Sequence, residues 1–220
     1  LWLPVDKLRI LTCLIAVLLL FFSAAVHSLA EEKKLQAGTV DRDVLQTVFA
    51  GAEKMHFSIS WNGGIKIGDL KIELREDKEG GYAIRARVTD YGLFRFFYPV
   101  DDMFVTFVRG HDKLPYRYEV LQREGAGSET RRLSLYDQSN LKVRYTRDEE
   151  AEQVFPILGP VYNEFSSFYI TRSMRLEPGN SFLVPTFADK KRNEVKVLVK
   201  EREEVAGLFG KVRTIAVMPL

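Results

Sequence analysis

The chain has 220 residues, 46% of them hydrophobic and 28% charged, and a net charge of only +2. That length holds one well-buried domain, and the composition, with charges of both signs interspersed, excludes intrinsic disorder. A surplus of two charges, gathered nowhere, excludes a nucleic-acid binder, whose affinity comes largely from neutralised phosphates.

Residues 1–30 read as a secretory signal peptide. Lys7 and Arg9 form a short basic region, Ile10 to Phe22 is an unbroken apolar run, and SAAVHSLA supplies small residues before a cut between Ala30 and Glu31. The run is shorter than the roughly 20 residues that cross a bilayer, so no stable span is expected after processing; an uncleaved anchor is the alternative. Cys13 is the only cysteine and lies near the start of the run, which does not suit lipid attachment. The exported chain then has no thiol, and disulfides, thiolate catalysis and cysteine metal sites are excluded for it.

Residues 31–54 form a polar lead-in in which Asp43 to Met55 is helical or irregular, and 55–220 form a single β-rich domain. In MHFSISW, Met55, Phe57, Ile59 and Trp61 alternate with polar partners, the period of a half-buried strand, and Asn62-Gly63-Gly64 suits a tight hairpin turn. In IKIGDLKIEL the apolar parity switches at Gly68-Asp69, which predicts a β-bulge at the glycine, because a one-residue slip would otherwise turn every side chain to the wrong face. GYAIRARVTDYG, PYRYEVLQREG, RRLSLYD and LKVRYTRD continue the alternation, whereas LFRFFYPV and DMFVTFV are more uniformly apolar and predict strands buried on two faces or lining a cavity. NSFLVPTF, EVKVLVKE and KVRTIAVM resume it towards the end of the chain. Short turns and the lack of strand–helix alternation imply a mainly β fold, an antiparallel meander forming a curved sheet or open barrel.

One segment breaks the pattern. Val161, Phe165, Phe168, Tyr169 and Arg172 recur at helical spacing after Pro160, with Asn163, Glu164, Ser166 and Ser167 off the stripe. They predict one amphipathic helix over about 160–174, packed across the sheet. Arg172 shares the buried stripe, so it needs a carboxylate or carbonyls around it and is expected to be tied to the sheet, whereas Arg175 falls beyond the helix.

Few residues carry chemistry. His56 and His111 are isolated from each other, which argues against a metal, and no serine has a strand-to-helix nucleophile context. Asp101-Asp102 is an acidic pair, but adjacent strand residues point to opposite faces, and a solvated turn between Pro99 and Met103 is the expected setting. No catalytic residue and no cofactor is therefore expected. The aromatics Phe94, Phe96, Phe97, Tyr98, Phe104, Phe107, Phe165, Phe168 and Tyr169 either fill a core or line an apolar cavity beneath the helix.

SWNGGIKIGDLKIEL, HDKLPYRYEVLQREG, VYNEFSSFYITRSMRLEPGNSF and VAGLFGKVRTIAVMP together resemble the bacterial envelope family called domain of unknown function 3108, from about Phe57 onward. The matching positions are Trp61, Gly64 and Gly68; Leu114 and Pro115; Ser166, Tyr169 and Arg172; and Gly207, Phe209 and Pro219. The family's helix often opens with Asp where this chain has Asn163, and its pattern continues past the proline at 219, so a C-terminally shortened chain is expected. The resemblance implies a β-rich periplasmic protein without assigned catalytic residues. On this reading Phe94, Phe96, Phe104, Phe107, Phe165, Phe168 and Tyr169 are candidates for holding a hydrophobic ligand, such as a lipid, an acyl chain or a lipoprotein. Trp61, Gly68, Arg172 and Gly207 are candidate structural anchors. The alternatives are an envelope scaffold acting on a protein partner and, third, a polysaccharide or peptidoglycan hydrolase.

Overall fold

The alternation of apolar and polar side chains builds an antiparallel meander. The computed structural model describes residues 35–61, 64–125, 127–207 and 210–220, with the backbone alone at 93 and 94. The signal-peptide reading of residues 1–30, the Asn62-Gly63 part of the first turn, the Phe94 side chain and Phe209 lie outside the described residues. Eight strands follow in order: β1 (Glu53–Trp61), β2 (Ile65–Glu76), β3 (Tyr82–Asp90), β4 (Asp101–Arg109), β5 (Leu114–Glu124), β6 (Ser128–Asp137), β7 (Lys142–Arg147) and β8 (Gln153–Pro156). Each pairs with the next, and the sheet stays open. A second sheet has the order β11-β10-β9, from β9 (Ser181–Ala188), β10 (Lys191–Gly207) and β11 (Gly210–Pro219). The helices are α1 (Arg42–Val48), α2 (Leu93–Phe97) and α3 (Glu164–Arg172).

The parity switch in β2 is a bulge. Ile59 pairs with Gly68 and Ser60 with Lys66, which leaves Ile67 as the extra residue. Gly68 is required for a second reason, because a Cβ there would stand 2.6 Å from the carbonyl oxygen of Thr89 on β3.

Ala37–Leu220 form one compact unit. Its main core is made where α1, α3, β9 and β10 cover the inner face of β2–β4. Ile72, Leu74, Ile84 and Val108 meet Leu45, Tyr169, Ile170, Phe182, Val184 and Val199 there. Each such aliphatic side chain contributes about 1.5–3 kcal/mol by leaving water. A second cluster sets Tyr118, Val120, Tyr136 and Val143 against Ile157, Val161 and Phe187, and Phe104 and Phe165 touch both clusters.

Two expectations are corrected. LFRFFYPV is not a strand buried on two faces: residues 93–97 form α2, and Phe96 and Phe97 are 88% and 81% exposed. Gly92, at φ +71°, breaks the continuation of β3, and Pro99 has no N–H to offer a ladder, so the run is confined between two breakers. Asp101 and Asp102 do not occupy a solvated turn either. They open β4, and Asp102 is buried.

Candidate functional site

Both ends of α3 are fastened to the sheet. Asn163 has extended backbone, its Oδ1 accepts from the Ser166 N–H at 2.9 Å, and Ser166 Oγ accepts the Asn163 N–H at 2.8 Å, a reciprocal cap. Asn163 Nδ2 donates to Thr106 Oγ1 of β4 at 2.7 Å, and all three residues are buried. At the other end Arg172 donates Nη1 and Nη2 to the two carboxylate oxygens of Glu53 on β1, at 2.7 and 2.8 Å. The guanidinium also lies 5.3 Å from the Tyr169 ring centroid and 5.6 Å from that of Phe168. Its hydrogen bonds hold the Glu53 carboxyl below its ordinary pKa, and Glu53 in turn raises that of Arg172.

The aromatic candidates do not gather around a cavity beneath α3. Tyr169 is fully buried and Phe165 half-buried, its ring 5.3 Å from Phe104 and 6.4 Å from Tyr118, so the space under the helix is filled by side chains. Phe168 is 38% exposed and does not belong to the buried stripe. The buried arc is instead Ser166, Tyr169, Ile170 and Ser173, in which two small serines alternate with two large side chains. Phe107 lies on the face of β4 opposite Phe104, beside Tyr116 and Arg117. Phe96 and Trp61 are at the surface. Gly207 pairs with Gly210 at the exposed end of the β10–β11 hairpin.

A cleft opens elsewhere, on the inner face of β5–β7 where the covering layer stops. It encloses about 400 Å³, with Tyr118, Gln122, Arg132, Tyr136 and Tyr145 among its floor residues, and Glu164, Phe187 and the β9–β10 turn at its walls. That turn is a two-residue hairpin whose Asp189 and Lys190 both take positive φ, +51° and +62°. Lys190 Nζ sits 4.8 Å from the Tyr145 ring centroid.

The polar groups of this face are linked. Asp102 Oδ1 accepts the Arg123 N–H at 3.0 Å, and Asp102 Oδ2 accepts from Gln122 Nε2 at 3.2 Å. Gln122 Oε1 accepts from Arg132 Nη2 at 2.6 Å, while the buried Nε of Arg132 has no partner. Burial raises the Tyr118 and Tyr136 hydroxyls well above the ordinary phenol range, and the nearby Glu164 adds to this. Glu164 is exposed as a residue, yet the crowding of its carboxyl in the cleft raises its pKa, with Arg132 opposing.

The acidic pair cannot act together: Asp101 accepts from Arg87 Nε and Nη2, each at 2.7 Å, on one face while Asp102 faces the interior. His56 Nε2 lies 2.8 Å from Asp69 Oδ1, and among the described residues no three His, Cys, Asp or Glu side chains are placed to hold a metal. The sequence reading missed Tyr136, Arg132 and Glu164 as neighbours. The available signal was tyrosine on the core parity of three successive strands, at 118, 136 and 145.

Residues 56–220 match the family model described as Protein of unknown function (DUF3108). The chain belongs to that family. The DUF3108 match covers β1 from His56 onward, β2 to β11 and α3, and so the whole of the cleft. Neither the curated proteins nor the solved structures contain a match to the chain.

Proposed function

We propose that this DUF3108 protein is a non-catalytic binding protein of the bacterial cell envelope, exported to the periplasm, that holds an amphipathic ligand in the cleft over β5–β7. The observation that carries this is the cleft's lining. Three tyrosines and Phe187 offer an apolar bed for an acyl chain, and the cationic side chains Arg132, Arg147 and Lys190 line the same cleft, suited to a polar head. A volume of about 400 Å³ holds part of a lipid, with the remainder reaching solvent through the open side. The hydrophobic ligand expected from the sequence is kept, and its seat moves from beneath α3 to the cleft. Export rests on the sequence of residues 1–30.

The test is lipid extraction of protein purified from its host, followed by mass spectrometry, together with the fluorescence of 1-N-phenylnaphthylamine and its displacement by lauric acid. The dye signal is expected with the wild type and is lost in Thr130→Trp, which fills the cleft mouth without entering the core. Empty protein and background dye fluorescence would sink the proposal. A second reading, a scaffold for a protein partner, is favoured by the end of the β10–β11 ribbon, which is exposed on both faces from Glu204 to Gly207 and from Gly210 to Arg213. In-cell crosslinking from Val212 that recovers no protein would count against it.

A further inference from the structure

The register of β5, β6 and β7 sets the cleft's side chains in rows. Tyr118, Ser134 and Tyr145 form one row, Arg132 stands directly opposite Arg147 in the next, and Gln122 with Thr130 follow. All of these line the cleft. Polarity therefore rises along the strands from an aromatic end to an open one, and two guanidinium groups mark the boundary.

Like charges directly opposite each other weaken a ladder, and the chain does little to offset this pair. Among the described residues Arg132 makes a single side-chain hydrogen bond, from Nη2 to Gln122 Oε1 at 2.6 Å, and its buried Nε has no partner. Arg147 Nε is 3.7 Å from Asp148 Oδ2, too long for a hydrogen bond, and the other Asp148 oxygen accepts the Arg131 N–H. Lys190 adds a third cation, over the ring of Tyr145 in the adjoining row.

Three carboxylates line the same cleft. Glu124 lies two rows out from Arg132, where the Tyr98 hydroxyl and Gln122 Nε2 donate to it, each at 3.2 Å. Asp189 is beside Lys190 in the β9–β10 turn and offsets it. Glu164 enters from the first turn of α3 on the Tyr118 side, and its burial there favours the neutral form, with Arg132 opposing. The arginine pair is thus the part of the cleft whose charge is least answered by the chain.

We infer that Arg132 and Arg147 together seat the phosphate monoester head of a single-chain lipid. The chain lies over the tyrosines, and the head faces the open side past Gln122 and Thr130. This rests on the cleft reading and adds the chemistry of the head. Two guanidinium forks one strand spacing apart, about 4.8 Å, can share the oxygens of one phosphate, and arginine is suited to planar, bidentate recognition of such groups. Glu164, when charged, opposes an anion at this row, so it tunes the affinity without taking part in the seat.

The test compares 1-lauroylglycerol 3-phosphate with 1-lauroylglycerol, which differ only in the phosphate, as competitors for 1-N-phenylnaphthylamine in the purified protein. The phosphorylated lipid is expected to displace the dye at a concentration at least about tenfold lower. Arg147→Gln removes this advantage and leaves both the melting temperature and displacement by 1-lauroylglycerol unchanged, because Arg147 is an exposed residue at the end of β7. Glu164→Gln moves the phosphorylated lipid the other way, to tighter binding, which a general loss of structure would not do. Inorganic phosphate alone gives no calorimetric binding at concentrations where the phosphorylated lipid saturates. Equal displacement by the two lipids overturns the inference and leaves the cleft reading standing, as does an advantage that Arg147→Gln leaves intact. Inorganic phosphate binding as tightly as the lipid overturns it in favour of a site for a soluble anion. Protein that gives no dye signal at all overturns both readings.

Discussion

Arg172 shows how one side chain sets the seat of a helix. Its fork meets both oxygens of Glu53, 119 residues earlier in the chain, and its flat face lies near two rings, so charge, geometry and packing act together. The two side chains are 35% and 32% exposed, which screens the pair, and Arg172→Ala is expected to cost about 1–2 kcal/mol at neutral pH. The pH dependence has a definite sign. The carboxyl of Glu53 is held below its ordinary 4.5 in the folded state, so its contribution is complete above that value and is lost as pH falls through the lowered pKa. The difference in melting temperature between wild type and Arg172→Ala should therefore be several degrees near neutrality and shrink as the pH falls below 4.5 through the lowered pKa. A difference that stays constant across that range would mean that the loss is one of packing alone.

At the scale of the element, α3 depends on Asn163 more than on its aromatic residues. Asn163→Ala removes the cap on the Ser166 N–H and the donor to Thr106 Oγ1, inside a dry core, and is expected to cost about 2–3 kcal/mol in urea melts. Ser167→Ala loses only a hydroxyl bonded to the Glu164 carbonyl and should change stability by less than about 0.5 kcal/mol. Equal losses in the two variants would show that the buried network does not matter. Much of the element structure was legible because its cause is local. Period-2 alternation marked the strands, and the break at Gly68 marked the bulge, since a sheet with one buried face cannot tolerate a slip. The stripe of α3 was misread at Phe168 because the core side is partly made of Ser166 and Ser173, and polarity does not reveal that a small serine is buried. LFRFFYPV was misread for a similar reason: a short apolar run does not distinguish a buried strand from an exposed turn of helix, and here the flanking Gly92 and Pro99 decide. Glu53, and the meeting of Arg132 with Glu164, depend on which strands become neighbours, which no local pattern encodes.

Across the whole molecule, stability is uneven, and β10 displays this within a single strand. Val197 and Val199 are buried in the main core, whereas Lys200 to Gly207 run on as a ribbon with β11, exposed on every residue, past a register shift between Val199 and Arg202. The ladder of backbone hydrogen bonds continues through both halves, so a difference in protection between them must come from burial and not from hydrogen-bond count. A two-stranded ribbon without a packed face is marginal in water, and its opening does not require the body to unfold. Amides of 203–207 are thus expected to exchange at least about a hundredfold faster than those of Val197 and Val199, with the body's amides limited by global unfolding. The contrast should also persist in Arg172→Ala, whose altered contact lies on α3 and β1. Uniform protection along β10 would mean that the ribbon is covered in solution by another chain. A ribbon that exchanges freely is instead an available strand edge, placed away from the cleft, and the two surfaces can then be altered independently of each other.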